Sequence, residues 1–408
     1  MPKGRSRKRK EKGHQSQPAD TGSLDDDSES VCSSLDGSVM SEDGVGVGGV
    51  EEETEEDAEF QLAEHIDRLG EKSSRTRLEA LTQVNKILRG KLVAHCLTGC
   101  RETLLDIITR GLKRVSGQER LDLLELSMLL TVQFGVDQPA LAAALRPLVT
   151  QLAQDPTISA PERSECLKVL GVVVFIQVSD LLEVASVMRV LEEVLRKCRL
   201  DQVVASAVRS WTLLLSIAPD HSVPALFNCL LPALNSLLDK TSHLGVRVAV
   251  GQAVALLFEL VREVDESLLD TRDSDRAYEL IQSLATESDR HTARKERNHQ
   301  RSTFKDILNT LEGGVGPERT VRSGVESVSL NCWARHVQYD TFRDLLGPAM
   351  NTHLAGNDLL REVFQMGPPP LLRVESKAHK LDRKYYNAVM AKQRTQSRGK
   401  LRDKRTVT

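Results

Sequence analysis

The last 36 residues, 373–408, contain the side chains whose type and spacing best predict a chemical role. They hold twelve Lys or Arg against three Asp or Glu, a net charge of +9. Cations at this density repel one another unless a polyanion supplies the counter-charge, which favours RNA binding over the alternative of a solvated chain end. The predicted RNA-binding residues are Lys377, Lys380, Arg383, Lys384, Lys392, Arg394, Arg398, Lys400, Arg402, Lys404 and Arg405.

The front of this basic segment also has an apolar face. Leu381, Tyr385 and Val389 recur at a spacing of four and so share one side of a helix. We expect this face to dock on the body of the protein. From Met390 onward there is no apolar stripe, which predicts a projecting basic rod, about 43 Å long from Lys377 to Arg405 if fully helical.

A second basic patch is predicted in residues 289–305. Its cations are Arg290, Arg294, Lys295, Arg297 and Arg301. Phe304, Ile307 and Leu308 would anchor the following turn, so the cations would face phosphate. The alternative is an ordinary solvated helix face.

Catalytic and metal-binding patterns are missing from the sequence. It has no phosphate-binding Gly-rich loop followed by Lys-Ser/Thr, no Gly-x-Ser-x-Gly and no His-Glu-x-x-His. His95, Cys96 and Cys100 lie close together, but no second Cys/His cluster at zinc spacing would complete four ligands, so core packing is predicted for them. We expect no enzyme activity, no catalytic site, no cofactor, no metal and no small-molecule substrate.

Charge is divided unevenly along the chain. Residues 1–12 carry a net charge of +6 and residues 13–59 a net charge of −15, whereas residues 60–372 are nearly neutral. Seven scattered cysteines, an odd number, indicate a reducing compartment. The N-terminus lacks the apolar core of a signal peptide, and the longest apolar run, 169–176, is far shorter than the roughly 20 residues of a membrane span. We predict a cytoplasmic protein without a membrane partner, and the basic cluster in residues 3–12 adds the nucleus as an alternative.

Between residues 58 and 312 the apolar pattern is helical and repeats. Strongly apolar helices begin near Arg77, Arg120, Arg163, Gln202 and Arg247, at intervals of 43, 43, 39 and 45 residues. Intervals of about 40–47 residues are typical of HEAT and armadillo repeats, whose stacked helix pairs leave a concave face free for a partner. We predict a cap at Ser73 or Ser74, a helix end at Gly90, and later helices at 180–198, 200–217, 222–238, 243–264, 273–286 and 291–311.

The pattern changes after Gly313-Gly314. Residues 320–322 and 325–333 flank Ser323-Gly324 and predict a short β-hairpin with its turn at these two residues. Two short helices should follow, at about 336–346 and 357–365, and the prolines at 368–370 then form a stiff spacer before the basic segment.

The predicted fold is therefore mainly α: a HEAT/armadillo-like helical-repeat superhelix with a small C-terminal α+β domain and a basic C-terminal helix. The predicted regions are a disordered basic-then-acidic tail (1–57), a helical-repeat domain (58–312), a small C-terminal domain with a β-hairpin (313–372) and a basic helical tail (373–408).

Several stretches resemble the interferon-related developmental regulator family. They are 246–260, 284–286, 300–304, Cys332-Trp333, 339–342, 357–369, 386–388 and 402–405. The resemblance covers about 60–408 and is densest after 246. The sequence departs from the family pattern at Ser323-Gly324, where the family has a bulkier Phe-Gly element.

This resemblance implies a non-enzymatic protein with two roles. One is binding to translationally idle ribosomes, through rRNA and ribosomal proteins, with the C-terminal helix in the path of mRNA. The other is transcriptional co-regulation during differentiation, which would make transcriptional regulators the partners.

Overall fold

Helices form almost all of the structure, a computed structural model that describes residues 55–286, 294–324 and 326–369. The helices of its first part are α1 Glu55–Arg68, α2 Ser74–Gly90, α3 Ala94–Leu97, α4 Arg101–Arg114, α5 Gln118–Phe134, α6 Pro139–Gln154, α7 Ala160–Gln177, α8 Leu181–Lys197, α9 Asp201–Leu215, α10 Val223–Lys240, α11 Leu244–Val264, α12 Arg272–Thr286 and α13 Arg294–Leu311. The six helices predicted from 180 onward begin and end within three residues of these bounds. Ser73 caps α2 by accepting a hydrogen bond from the amide of Thr76.

These helices form the predicted two-layer repeat. In one layer α2, α5, α7, α9, α11 and α13 pack side by side in chain order. In the other layer α1, α6, α8, α10 and α12 each pack on the neighbouring helix of the first layer, and α4 packs on α5. The prediction of a mainly α, HEAT/armadillo-like fold is confirmed by this packing.

The position of each helix in the stack explains its apolar pattern. The central helices α5, α7 and α9 are buried over most of their circumference. Helix α8 instead buries one stripe, including Val184, Met188, Leu191 and Leu195, at helical spacing. Apolar residues on all sides therefore mark a helix covered on both flanks, as expected for the middle of a solenoid.

Polar side chains set the register between successive repeats. Arg77 on α2 reaches Glu119 on α5 at 2.6 Å, and one repeat later Arg120 on α5 reaches Glu162 on α7 at 3.1 Å. Burial raises the pKa of Glu162, but hydrogen bonds from Ser159 and from a backbone amide outweigh that effect, and the pKa lies below its usual value. At Arg77 and Arg120 the recurring Arg thus forms an ion pair with the first turn of the next helix in the layer. Arg163 and Arg247 instead donate to backbone carbonyl oxygens, those of Ala153 and Thr241.

Glycine permits the closest helix packing at two of these contacts. A Cβ atom at Gly171 on α7 would lie 2.8 Å from Cβ of Ser210 on α9, and one at Gly251 on α11 would lie 2.8 Å from Ile307 on α13. A larger residue at Gly171 would push α7 and α9 apart, whereas one at Gly251 would force the ends of the Ile307 and Phe304 side chains to move.

The C-terminal elements are β1 Arg319–Ser323, β2 Glu326–Leu330, α14 Trp333–Leu346, α15 Met350–Gly356 and α16 Asp358–Val363. The hairpin is present, but Ser323 pairs with Glu326, so it belongs to β1 and not to the turn as predicted. Strand β2 also ends three residues early, because Trp333 already begins α14. Helix α15 was not predicted: seven residues between a Gly-Pro turn and Gly356 are too few to give a periodic signal.

Helix α14 lies across the first layer of the repeat. It packs on α2 and α5 near one end of the layer and on α9 and α11 near the other. A 14-residue helix is only about 21 Å long. It can contact all four helices because the layer curves around it, so it occupies the concave side. Part of the concave face that was predicted to be free for a partner is therefore occupied by α14.

Among the described residues, α11 is long and apolar enough to span a membrane by length and composition, and 61% of that window is buried inside the protein. Core helices of soluble proteins pass the same test, so this helix is weak evidence for a membrane span. The region boundaries given above stay predictions; the repeat and the elements β1 to α16 lie in one compact unit.

Candidate nucleic-acid interface

The predicted RNA-binding residues from Lys377 to Arg405 lie outside the described residues, as do Leu381, Tyr385 and Val389. The structure describes the chain up to Pro369, four residues before the basic segment begins. We call the turn after α16, residues 364–369, the exit, because it leads from the body to the basic segment. The exit is the only part of the predicted interface in the basic C-terminal region that lies within the described residues.

A buried arginine organises the exit. Arg361 on α16 is 2% exposed and forms a bidentate ion pair with Glu326 at the start of β2, with Nη1 to Oε2 at 2.8 Å and Nη2 to Oε1 at 3.1 Å. Its hydrogen bonds lower the pKa of the Glu326 carboxyl, and the same pairing raises the pKa of Arg361. Both groups therefore stay charged at neutral pH. The two parallel bonds fix the plane of the guanidinium.

The same guanidinium holds the backbone that leads to the basic segment. Arg361 donates to the carbonyl oxygens of Gly367 at 2.7 Å, Pro368 at 2.9 Å and Met366 at 3.2 Å. Two residues of this turn have left-handed backbone, Gln365 with φ 54° and Gly367 with φ 70°. A left-handed backbone conformation is strained for Gln365, which has a Cβ atom. The hydrogen bonds from Arg361 to the following carbonyl groups help to hold the turn in this conformation. Arg361 therefore fixes the backbone of residues 366–368, close to the last described residue, Pro369.

Two polar side chains attach this end of the chain to the first repeats. His353 on α15 is fully buried and donates through Nε2 to the carbonyl oxygen of Arg89 at 3.0 Å. Burial lowers the pKa of His353, which favours the neutral ring. Asn357 accepts from the amide of Leu360 at the start of α16 and donates to the carbonyl oxygen of Val132 on α5 at 3.1 Å.

The start of α14 is attached to the last repeats. The amide of Trp333 donates to Glu259 on α11 at 2.8 Å, and the indole Nε1 donates to Thr310 on α13 at 2.8 Å. Farther along α14, Gln338 donates to Ser216 after α9 at 3.0 Å. Together with His353 and Asn357, these bonds tie the C-terminal elements to both ends of the repeat.

Aromatic side chains fill the space between these polar contacts. Phe342 on α14 makes edge contacts with Phe175 on α7 and with Phe364, at ring centroid distances of 6.1 and 6.4 Å. Tyr339 also contacts Phe364, at 6.0 Å. The start of the exit, at Phe364, therefore packs through Phe342 against the core of the repeat.

The second predicted basic patch falls at the start of α13. Arg290 lies outside the described residues, Arg294, Lys295 and Arg297 lie in the first turn of the helix, and Arg301 is half-buried on it. Phe304 and Ile307 are fully buried and Leu308 is partly buried against the core, as predicted for the anchoring turn. Phosphate binding by this patch stays a prediction.

A groove of about 700 Å³ remains between α14 and helices α9 and α11. Its lining includes Arg209 and Arg343 but also Asp340 and Asp344. Because the charges are mixed, this groove does not extend the basic surface expected of an RNA site.

Sequence reasoning missed Arg361, Glu326, His353 and Asn357. A single Arg or His in a short helix gives no local signal, since its partners lie far away along the chain. One local signal was available: Asn357-Asp358 is a common start of a helix, and Gly367-Pro368 indicates a turn after it. This signal predicts the short helix but not the partners of Arg361 or His353.

A curved helical repeat whose own C-terminal elements line its concave side, with a strongly basic segment following them, defines the class of this protein. Within that class the family assignment comes from comparison with known sequences. The model described as interferon-related developmental regulator matches residues 28–312, and the model described as interferon-related protein conserved region matches residues 357–406. The chain belongs to the interferon-related developmental regulator family, as the resemblance predicted.

Similar proteins extend over almost the whole chain. Interferon-related developmental regulator 1 of Sus scrofa is 33% identical, covering 91% of this chain and 86% of the relative. Interferon-related developmental regulator 2 of Mus musculus is 32% identical, covering 90% of this chain and 88% of the relative. Among solved structures, the designed armadillo repeat protein YIII(Dq)4CqI is 15% identical with a TM-score of 0.40, covering 61% of this chain and 100% of that chain. With so low a TM-score, the fold assignment rests on the helix packing described above.

Proposed function

We propose that this protein is a non-enzymatic regulator that binds idle ribosomes and represses translation. Its body would contact rRNA and ribosomal proteins, and its basic C-terminal segment would lie in the path of mRNA. The observation that carries this proposal is the exit built around Arg361, from which a segment with a net charge of +9 continues after residue 372. The family's conserved region spans both the exit and this segment, residues 357–406.

The exit favours a directed segment over a diffuse basic terminus. A chain end that attracts polyanions by charge alone can leave the body in any direction. It would not need a turn fixed by a buried guanidinium that binds three successive carbonyl groups. Such a buried charge is costly unless all its donors are paired. An oriented segment that enters an RNA-lined channel gives this arrangement a purpose, because the direction of entry then decides binding.

The runner-up is a nuclear transcriptional co-regulator that gathers its partners on the concave face of the repeat. Helix α14 and its neighbours lie on that face and are held there by His353, Asn357, Gln338 and Trp333. This arrangement favours the ribosome proposal, and we propose a cytoplasmic location with it. The nuclear proposal would require import through residues 3–12.

Sedimentation of the full chain tests the proposal. We expect the protein to co-sediment with monosomes from resting cells on a low-salt sucrose gradient. Deletion of 377–408 should leave it at the top of the gradient. A variant with all Lys and Arg of 377–405 changed to Gln should behave like the deletion, since it keeps the length but not the charge.

Deletion of 1–12 is the matched control, because it removes seven cations without touching the C-terminal segment. This variant should still sediment with monosomes. If the wild-type chain stays at the top of the gradient in both resting and growing cells, the ribosome proposal is wrong. Loss of nuclear localisation and of transcriptional effects on deleting 1–12 would support the runner-up instead.

A further inference from the structure

A mixed cluster of metal-binding side chains connects α1 to α3. Glu59 on α1 and His95 and Cys96 on α3 place one carboxylate oxygen, one imidazole nitrogen and one sulfur within 4.8 Å of one another. Oε1 of Glu59 lies 2.8 Å from Nε2 of His95. Glu59 lies 36 residues before His95 along the chain, so the local sequence pattern of His95, Cys96 and Cys100 does not include it.

The donor set favours Zn²⁺. A thiolate, an imidazole and a carboxylate are the three side-chain ligands that Zn²⁺ takes in proteins, and a tetrahedral site with three protein ligands holds water in the fourth position. A thiol and an imidazole argue against Mg²⁺ and Ca²⁺, which prefer oxygen ligands. We propose that Glu59, His95 and Cys96 bind one Zn²⁺ ion, with water as the fourth ligand.

The surroundings of the cluster suit this site. Glu59 and Cys96 are half-buried and His95 is exposed, so the ligands lie at the surface where an ion can enter. Glu59 and His95 line a cavity of about 330 Å³, which leaves room for the water ligand. Lys91 lines the same cavity, and Arg101 lines the cavity on the other side of His95, with its guanidinium 4.5 Å from the ring centre of Phe134.

Binding exchanges protons for the metal. Without metal, Glu59 accepts hydrogen bonds from His95 Nε2 and from the Cys96 thiol. On binding, the Cys96 thiol loses its proton to solvent and becomes the thiolate ligand. The Nε2 proton of His95 is exchanged through solvent for one on Nδ1, so that the neutral imidazole binds the ion through Nε2. The three charges of Zn²⁺, thiolate and carboxylate then sum to zero, which suits a half-buried site.

The consequence would be a link between the first helix and the start of the second repeat. His95 also lines a cavity with Asp358 and Glu362 of α16, so the link lies next to the elements that carry the exit. Zn²⁺ would therefore stabilise the end of the repeat on which α15 and α16 dock.

Metal binding by the full chain tests the inference. After treatment with a chelator, the protein should take up one equivalent of Zn²⁺, and its melting temperature should rise by about 3–8 °C at a hundredfold excess of Zn²⁺ over Kd. With Co²⁺ in place of Zn²⁺, an absorption band for thiolate-to-cobalt charge transfer should appear.

The variants separate this site from adventitious binding. Cys96→Ser should abolish the charge-transfer band, and Glu59→Gln and His95→Gln should weaken Zn²⁺ binding at least tenfold. Cys100→Ser is the matched control, because Cys100 lies four residues away and donates to the carbonyl oxygen of Leu97 at 3.4 Å. It should keep the band. The inference is overturned if the wild-type chain takes up no Zn²⁺, if Cys96→Ser binds it equally well, or if Cys100→Ser loses the band.

Discussion

Individual polar side chains hold the C-terminal elements on the repeat, and the charge of one of them changes near neutral pH. Burial raises the pKa of Glu259 to about 7, although the hydrogen bond from the amide of Trp333 works in the opposite direction. Glu263 raises the pKa further and Arg262 lowers it. The attachment of α14 to α11 is therefore sensitive to pH.

Glu259→Gln should reduce the pH dependence of stability. Between about pH 4.5 and pH 7 the folded state keeps the Glu259 proton and the unfolded state does not, so this group's contribution is lost as pH rises through the folded pKa. The free energy of unfolding, measured with urea, should fall by about 1–2 kcal/mol more in the wild type than in Glu259→Gln between about pH 5 and pH 8, after allowance for the partial exposure of the group.

The control for this prediction is Glu266→Gln, an exposed residue beyond the end of α11 that removes the same charge. It should keep the wild-type pH dependence. Parallel curves for Glu259→Gln and the wild type would mean that Glu259 stays ionised over the whole range.

At the scale of elements, α16 and the turn after it act as one unit built on Arg361. Arg361→Met would keep much of the apolar stem and remove the donors to Glu326 and to three carbonyl groups of residues 366–368. We expect hydrogen exchange at the amides of Phe364, Gln365 and Met366, which close this turn, to become at least about tenfold faster.

Arg343→Met on the exposed side of α14 is the control for the loss of one Arg, and it should leave these amides unchanged. In the proposed function, Arg361→Met should also lower co-sedimentation with monosomes, while its affinity for a short single-stranded RNA stays within about twofold of wild type. Unchanged exchange in Arg361→Met would show that the turn holds its shape without the guanidinium.

Local signals explain which elements the sequence predicted. Helices such as α8 and α11 combine apolar periodicity with recognisable ends, so their bounds were predictable. The helical repeat was predicted from the regular spacing of Arg77, Arg120 and Arg163 at the starts of apolar helices. Helix α15 is too short for such a signal. The covered concave face could not be predicted either, because it depends on pairs such as His353 with Arg89, 264 residues apart, which leave no pattern in any window of sequence.

At the scale of the whole described fold, the C-terminal elements pack back on both ends of the repeat. Its last described elements bond to α2 and α5 and also to α11 and α13, so the two ends of the repeat are joined through α14 to α16. An open solenoid can lose its end repeats one at a time, whereas contacts across the whole stack make unfolding more cooperative. The last described elements, which precede the basic segment in the sequence, are therefore attached to both ends of the repeat.

The electrostatic part of the proposed function gives a quantitative prediction for that segment. If six to eight of its cations each displace a condensed counter-ion, log K for single-stranded RNA should fall with log salt at a slope of about −4 to −6. If all four make such contacts, charge reversal to Glu at Arg394, Arg398, Arg402 and Arg405 should remove about 3 of that slope. The same reversal at four exposed body residues, Lys72, Arg189, Arg199 and Lys240, is the control and should leave the slope nearly unchanged.

Substitutions at the front of the segment distinguish an oriented rod from a diffuse basic terminus. Leu381→Asp or Tyr385→Asp places a charge on the face predicted to dock and removes little of the positive charge that attracts RNA. Affinity for short RNA should therefore stay close to wild type, while co-sedimentation with monosomes is lost, because an undocked segment no longer enters its channel in a fixed direction. The proposal of an oriented rod would be contradicted if RNA affinity and co-sedimentation were both lost, or if neither were lost. The segment would then bind RNA through its net positive charge alone, whatever its orientation on the body.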